Sequence, residues 1–73
     1  MKIWIARRKS NKLYMFFEKP HSTDDGKQWF VLENVPNNGV FANTGIKIDE
    51  NEFQDVSYEN SPQEVELKLV NEL

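Results

Sequence analysis

The chain has 73 residues, with nine Lys or Arg against twelve Asp or Glu, a net charge of −3, one histidine and no cysteine. A chain of this length is expected to form one domain, residues 1–73, that buries only roughly 60% of its unfolded surface. Without cysteine it has no disulfide framework and no thiolate metal site. No run approaches the roughly 18 apolar residues of a membrane-spanning helix, and Met1 to Arg7 is too short and too soon charged for a secretory leader, so a cytoplasmic protein without a membrane partner is expected.

The first nineteen residues read as a β-hairpin. Ile3-Trp4-Ile5-Ala6 and Leu13-Tyr14-Met15-Phe16-Phe17 are rich in β-branched and aromatic residues, and Arg7 to Lys12 is a polar turn. Successive strand residues point to opposite faces. Ile3 and Ile5 therefore share a core-facing side, as do Leu13, Met15 and Phe17, while Trp4, Tyr14 and Phe16 form an aromatic strip on the other side. A second strand apolar on both faces is expected to be central.

Pro20 should stop that strand, since it lacks a backbone donor. His21 to Gly26 reads as a polar turn with Asp25-Gly26 at its tip. Trp29-Phe30-Val31-Leu32 is the third strand, Asn38-Gly39 a tight turn, and Val40-Phe41 a short returning strand. Ile46-Lys47-Ile48 alternates as an edge strand, and Phe53 to Tyr58 is the last strand candidate. Residues 62–73 admit two readings. Ser61-Pro62-Gln63-Glu64 is a capping box with proline at the first helical position, and Val65, Leu69, Val70 and Leu73 then share a helical face. Val65, Leu67 and Leu69 also alternate with Glu66 and Lys68 as in a strand, and Leu67 fits only that pattern. The cap, the proline and the helix formers favour a helix. The expected fold is α+β: an antiparallel sheet of three to five strands with one C-terminal helix, the alternative being an all-β barrel or meander.

Several stretches resemble small uncharacterised proteins from phages and prophages of Bacteroidetes-like gut bacteria. They are Ile3-Trp4-Ile5-Ala6-Arg7, Leu13-Tyr14-Met15-Phe16 with Lys19-Pro20, Ile46-Lys47-Ile48-Asp49 through Phe53-Gln54-Asp55-Val56, and Tyr58 through Leu69. That group usually has an acidic residue after the Ala-Arg pair, where this chain has Arg8. The resemblance implies a cytoplasmic accessory protein of a mobile element and carries no activity over to any residue.

Catalysis finds no constellation. His21 stands alone beside Pro20, no nucleophile has a base beside it, and no glycine-rich phosphate loop exists. Asp49 to Asp55 looks like a calcium loop but has Phe53 and Gln54 where an oxygen ligand and a glycine are needed. No enzyme, cofactor or metal is therefore expected. Charge is divided unevenly: residues 1–19 hold six of the nine basic residues and one acidic residue, whereas residues 49–73 hold eight acidic residues and one lysine. The two parts are expected to lie side by side and offset one another, or else to present one charged patch to a partner. The expected function is non-catalytic protein binding, with a host factor among the candidate partners. Trp4, Tyr14 and Phe16 would serve as anchors and Arg7, Arg8 and Lys9 would supply charge complementarity. Two alternatives are nucleic-acid binding by the same hairpin, disfavoured by the net acidity, and a structural homo-oligomer. The acidic C-terminal third is the rival surface.

Overall fold

The computed structural model describes residues 1–37 and 39–67. Among these residues the chain is all-β: β1 (Lys2–Arg7), β2 (Leu13–Phe16), β3 (His21–Ser22), β4 (Trp29–Val35), β5 (Gly39–Asn43), β6 (Ile46–Ile48) and β7 (Gln63–Glu66). They form two antiparallel sheets, of order β6-β2-β1-β7 and β3-β4-β5. No described helix exists that could cross a membrane.

The N-terminal hairpin is the centre of the larger sheet. Trp4 pairs with Phe16, Ile5 with Met15, Ala6 with Tyr14 and Arg7 with Leu13. This register sorts side chains by parity into two cores on opposite faces. Ile3, Ile5 and Leu13 pack with Val56, flanked by Met15, Ile48, Phe53, Val65 and Leu67. Ala6 and Phe16 pack with Trp29 and Val31 of the second sheet, flanked by Trp4, Tyr14 and Tyr58. A chain this small thus uses both faces of one hairpin as core. Phe17 departs from its expected place on the aliphatic side and is 59% exposed. The ladder ends at the Trp4–Phe16 pair, so strand alternation no longer governs the next residue.

The expected α+β class is overturned. Gln63 to Glu66 pairs with β1, from Gln63 opposite Ile5 to Glu66 opposite Lys2, where the helix was expected to begin. Ser61 does not cap a helix. Its Oγ accepts the Arg7 N–H at 2.9 Å and donates to the Ser57 carbonyl at 2.5 Å. The open edge of β1 satisfies the backbone of residues 63–66, and the alternation of Val65 and Leu67 prevails over the local cap signals. The rest of the expected helix, residues 68–73, lies outside the described residues.

Phe53 to Tyr58 is likewise not a strand. Residues 49–61 run as successive turns over the aliphatic face, with Glu52 N–H bonded to Asp49 O, Val56 N–H to Phe53 O and Ser61 N–H to Tyr58 O. The expected polar turn at His21 begins as β3, paired with Phe30 and Trp29, and closes at Thr23 to Gln28.

Within that turn the Asp25 carboxylate accepts from the Lys27 N–H at 3.0 Å and the Thr23 hydroxyl at 2.7 Å. These bonds, the Lys27 amide first, hold its pKa below the ordinary 3.8. A carboxyl whose folded pKa is lowered stabilises the fold above its unfolded value, and that contribution is lost as pH falls through the lowered one. An NMR titration of Asp25 should give a midpoint below 3.8, with the hydrogen-bonded shift of the Lys27 amide lost only beneath it. A midpoint at or above 3.8 would show that the turn does not hold the carboxylate.

Candidate binding surface at the basic turn

The hairpin turn is built by Arg8, Lys9, Ser10 and Asn11. Asn11 N–H bonds to Arg8 O at 2.9 Å and Arg8 N–H to Lys12 O at 2.8 Å, with Asn11 in the left-handed region at φ 77°. Asparagine tolerates that conformation, which closes a three-residue hairpin loop tightly and fixes where the basic side chains leave the sheet.

The three consecutive basic residues then take three different environments. Arg7 shares parity with Ile3 and Ile5, so it enters the aliphatic side and is buried, at 6% exposure. Its Nε donates to Val56 O at 2.5 Å, Nη1 to Asn11 O at 2.8 Å and Glu50 O at 3.1 Å, and Nη2 to Glu52 O and Phe53 O, both at 3.1 Å. The planar five-donor fork of guanidinium suits such a ring of carbonyls. The cation of the acidic loop is therefore the protein's own side chain. No group of three or more His, Cys, Asp or Glu able to hold a metal occurs among the described residues.

Arg8 lies on the opposite face with its guanidinium 4.0 Å from the centroid of the Tyr14 ring, and its buried Nε has no hydrogen-bond partner among the described residues. Lys9 is exposed and reaches over Tyr58, with Nζ 5.2 Å from that ring. Tyr58 in turn tilts against Trp29 at 6.1 Å, and the Trp29 indole donates to the Arg7 carbonyl at 3.0 Å. Between the turn and residues 57–59 lies an open cleft of about 370 Å³ lined by Arg7, Arg8, Lys9, Asn11, Ser57, Tyr58 and Glu59.

The structure thus divides the six residues expected to meet a partner. Arg7, Arg8 and Lys9 line one cleft, and Tyr14 supports Arg8. Trp4 is half-buried under Lys19, whose Nζ lies 5.7 Å from its ring. Phe16, at 2% exposure, is core and presents no anchor on this surface. Arg7 cannot rim a surface either, since its side chain is spent on backbone carbonyls. Ser57, Tyr58 and Glu59 were not legible as site residues, because only the path of the 49–61 segment brings them beside the hairpin turn.

The basic and acidic parts do adjoin, through β1 and β7, with Lys2 opposite Glu66. Among the described residues, however, they form one ion pair, between the Met1 amine and Glu66 at 3.1 Å. Among those residues the charges of the turn have no carboxylate partner. Comparison with protein-family models, with curated proteins and with solved structures returned no match, so function is read from geometry.

Proposed function

We propose that the protein is a non-catalytic binding domain that takes an acidic segment of a partner protein into the cleft between the basic turn and Tyr58. In keeping with the resemblance of its hairpin and tail, it would act as an accessory protein of a mobile element. The observation that carries the reading is the charge balance of the cleft: Arg7, Arg8 and Lys9 against Glu59 alone. Arg7 contributes a full positive charge beneath the cleft, and among the described residues its hydrogen-bond partners are backbone carbonyls and the Asn11 side chain. A buried charge is screened by salt less than an exposed one.

The aromatic rings favour this reading over stacked nucleic-acid bases. Faces of Trp4, Tyr14 and Tyr58 are occupied by Lys19, Arg8 and Lys9, whereas single-strand recognition depends on open rings.

Trp29 lies beside Tyr58 and reports on the cleft once Trp4 is replaced by phenylalanine. In that background, poly-L-glutamate should change Trp29 emission saturably and more weakly as salt rises. The double variant R8E/K9E should lower the affinity at least about tenfold, in line with the loss of two charge-assisted contacts. Unchanged affinity in R8E/K9E would remove the cleft as the site, and tighter binding of a single-stranded oligonucleotide would install the nucleic-acid reading instead.

A further inference from the structure

Among the described residues the two sheets have four outer strands, and three of them are protected against pairing with another chain. Lys47 sits in β6, Glu64 and Glu66 sit in β7, and β3 is two residues long. Charges and short length are common means by which an edge avoids a second strand. β5 has neither. Its five residues, Gly39-Val40-Phe41-Ala42-Asn43, carry no charge and no proline, and among the described residues β5 pairs only with β4. The surroundings are equally neutral: from Gln28 to Ile46 the single charged residue is Glu33, in a chain that is 29% charged. Leu32 and Val40 are 60% and 58% exposed, and Phe41 is 48% exposed.

We infer that β5 pairs antiparallel with β5 of a second copy of the chain, giving a continuous six-stranded sheet with a two-fold axis at Phe41. The occupant is argued from charge and register. A neutral edge meets a copy of itself without repulsion, whereas elsewhere two copies each of net charge −3 repel. About the axis Phe41 faces its own copy, Val40 faces Ala42 of the second copy and Gly39 faces Asn43, so no like charges are opposed. Glu33 lies opposite Phe41 within the chain. Three strand spacings then separate the two Glu33 side chains, about 14 Å, beyond the screening length of about 8 Å at physiological salt. On the other face Leu32 and Ala42 are directly paired within the chain, and the second copy's Val40 extends that row. Because the contact is isologous, it closes at two chains.

A five-residue ladder is small, under about 1,200 Å² of total buried area, so the dimer is weak, with Kd on the order of 0.1 mM. Sedimentation of the full chain from about 10 μM to about 1 mM should show the average mass rising from near 8.6 kDa towards twice that value and never beyond it. F41K places two ammonium groups on the axis and should weaken association at least about tenfold, while Trp29 emission shows that the fold is kept. The chain has no cysteine, so F41C supplies a single thiol on the axis. It should oxidise to a linked dimer well before I46C, placed on the protected β6 edge. A wild-type chain monomeric throughout, association unchanged in F41K, equal oxidation of F41C and I46C, or growth beyond the dimer would each overturn the pairing.

Discussion

Replacing Arg7 by alanine should destabilise the protein by about 3–5 kcal/mol, the cost of leaving several buried acceptors without a donor. A domain of this length has about 4–11 kcal/mol of stability in all, so the loss takes a quarter of it at the least. The reason is what the guanidinium leaves behind. Carbonyls of Val56, Glu50, Glu52, Phe53 and Asn11 converge on it, and each buried acceptor left unpaired costs about 1–3 kcal/mol. Part of that is recovered where water can reach the more open carbonyls, which keeps the total below the sum. Arg7→Met separates this account from one based on packing. It keeps an apolar stem in place and should still cost nearly as much as alanine. Arg7→Lys restores one cation but offers three donors from a single point, and its loss should fall between zero and that of Arg7→Met. Urea titrations of the three variants, followed by tryptophan emission, test the order. Near wild-type stability in Arg7→Met would show that the acidic loop is held by its apolar contacts alone.

The same side chain ties the fold to the proposed site. Val56, whose carbonyl takes the Arg7 Nε, is also a member of the aliphatic core, and the next two residues, Ser57 and Tyr58, line the cleft. One guanidinium thus sets the path of the 49–61 segment and places a positive charge beneath the basic turn. A destabilised Arg7 variant should lose affinity for poly-L-glutamate before it loses its sheets, because four carbonyls of the segment lose their donor to the hairpin.

What could be read from the sequence follows the range of the forces involved. Strand alternation in the hairpin is local, and it placed Ile3, Ile5, Leu13 and Met15 on one face and Trp4, Tyr14 and Phe16 on the other, as the register has them. The returning strand after Asn38-Gly39 was legible for the same reason. The C-terminal segment misled because its cap signals are local while its outcome is not. An edge of β1 some sixty residues away offers Gln63 to Glu66 a ladder, and Ser61 is drawn off to serve Arg7 and Ser57. Arg7 itself carried a usable signal. It continues the parity of Ile3 and Ile5, which points it into the aliphatic core, but its neighbours Arg8 and Lys9 made it look like part of a surface patch. Tyr58 carried none, since its place beside Lys9 depends on turns formed around a guanidinium forty-nine residues earlier than Val56.

Gly45→Ala should destabilise the protein by about 2–4 kcal/mol, whereas Gly39→Ala should cost about 1 kcal/mol. Both glycines have positive φ, 89° and 85°, so the conformational penalty of an L side chain, about 1–2 kcal/mol, is common to both and is partly offset by a stiffer unfolded chain. What differs is the space. A Cβ at Gly39 meets nothing within 4 Å, but one at Gly45 comes within 2.6 Å and 2.8 Å of the Phe16 ring and 3.0 Å of the Met15 carbonyl. Phe16 is core, packed with Ala6, Trp29 and Val31, and cannot swing aside without opening that cluster. Overpacking of this kind adds about 1–3 kcal/mol. Gly45 is also held in place, its N–H bonded to the Asn43 side chain at 2.9 Å, which limits any backbone retreat. Paired urea titrations decide the matter. Equal losses would mean that backbone conformation alone sets the penalty and that the aromatic core yields. A large loss at Gly45 alone places Phe16 as a rigid wall of the core, the role that its burial assigns it and that a surface anchor would not have.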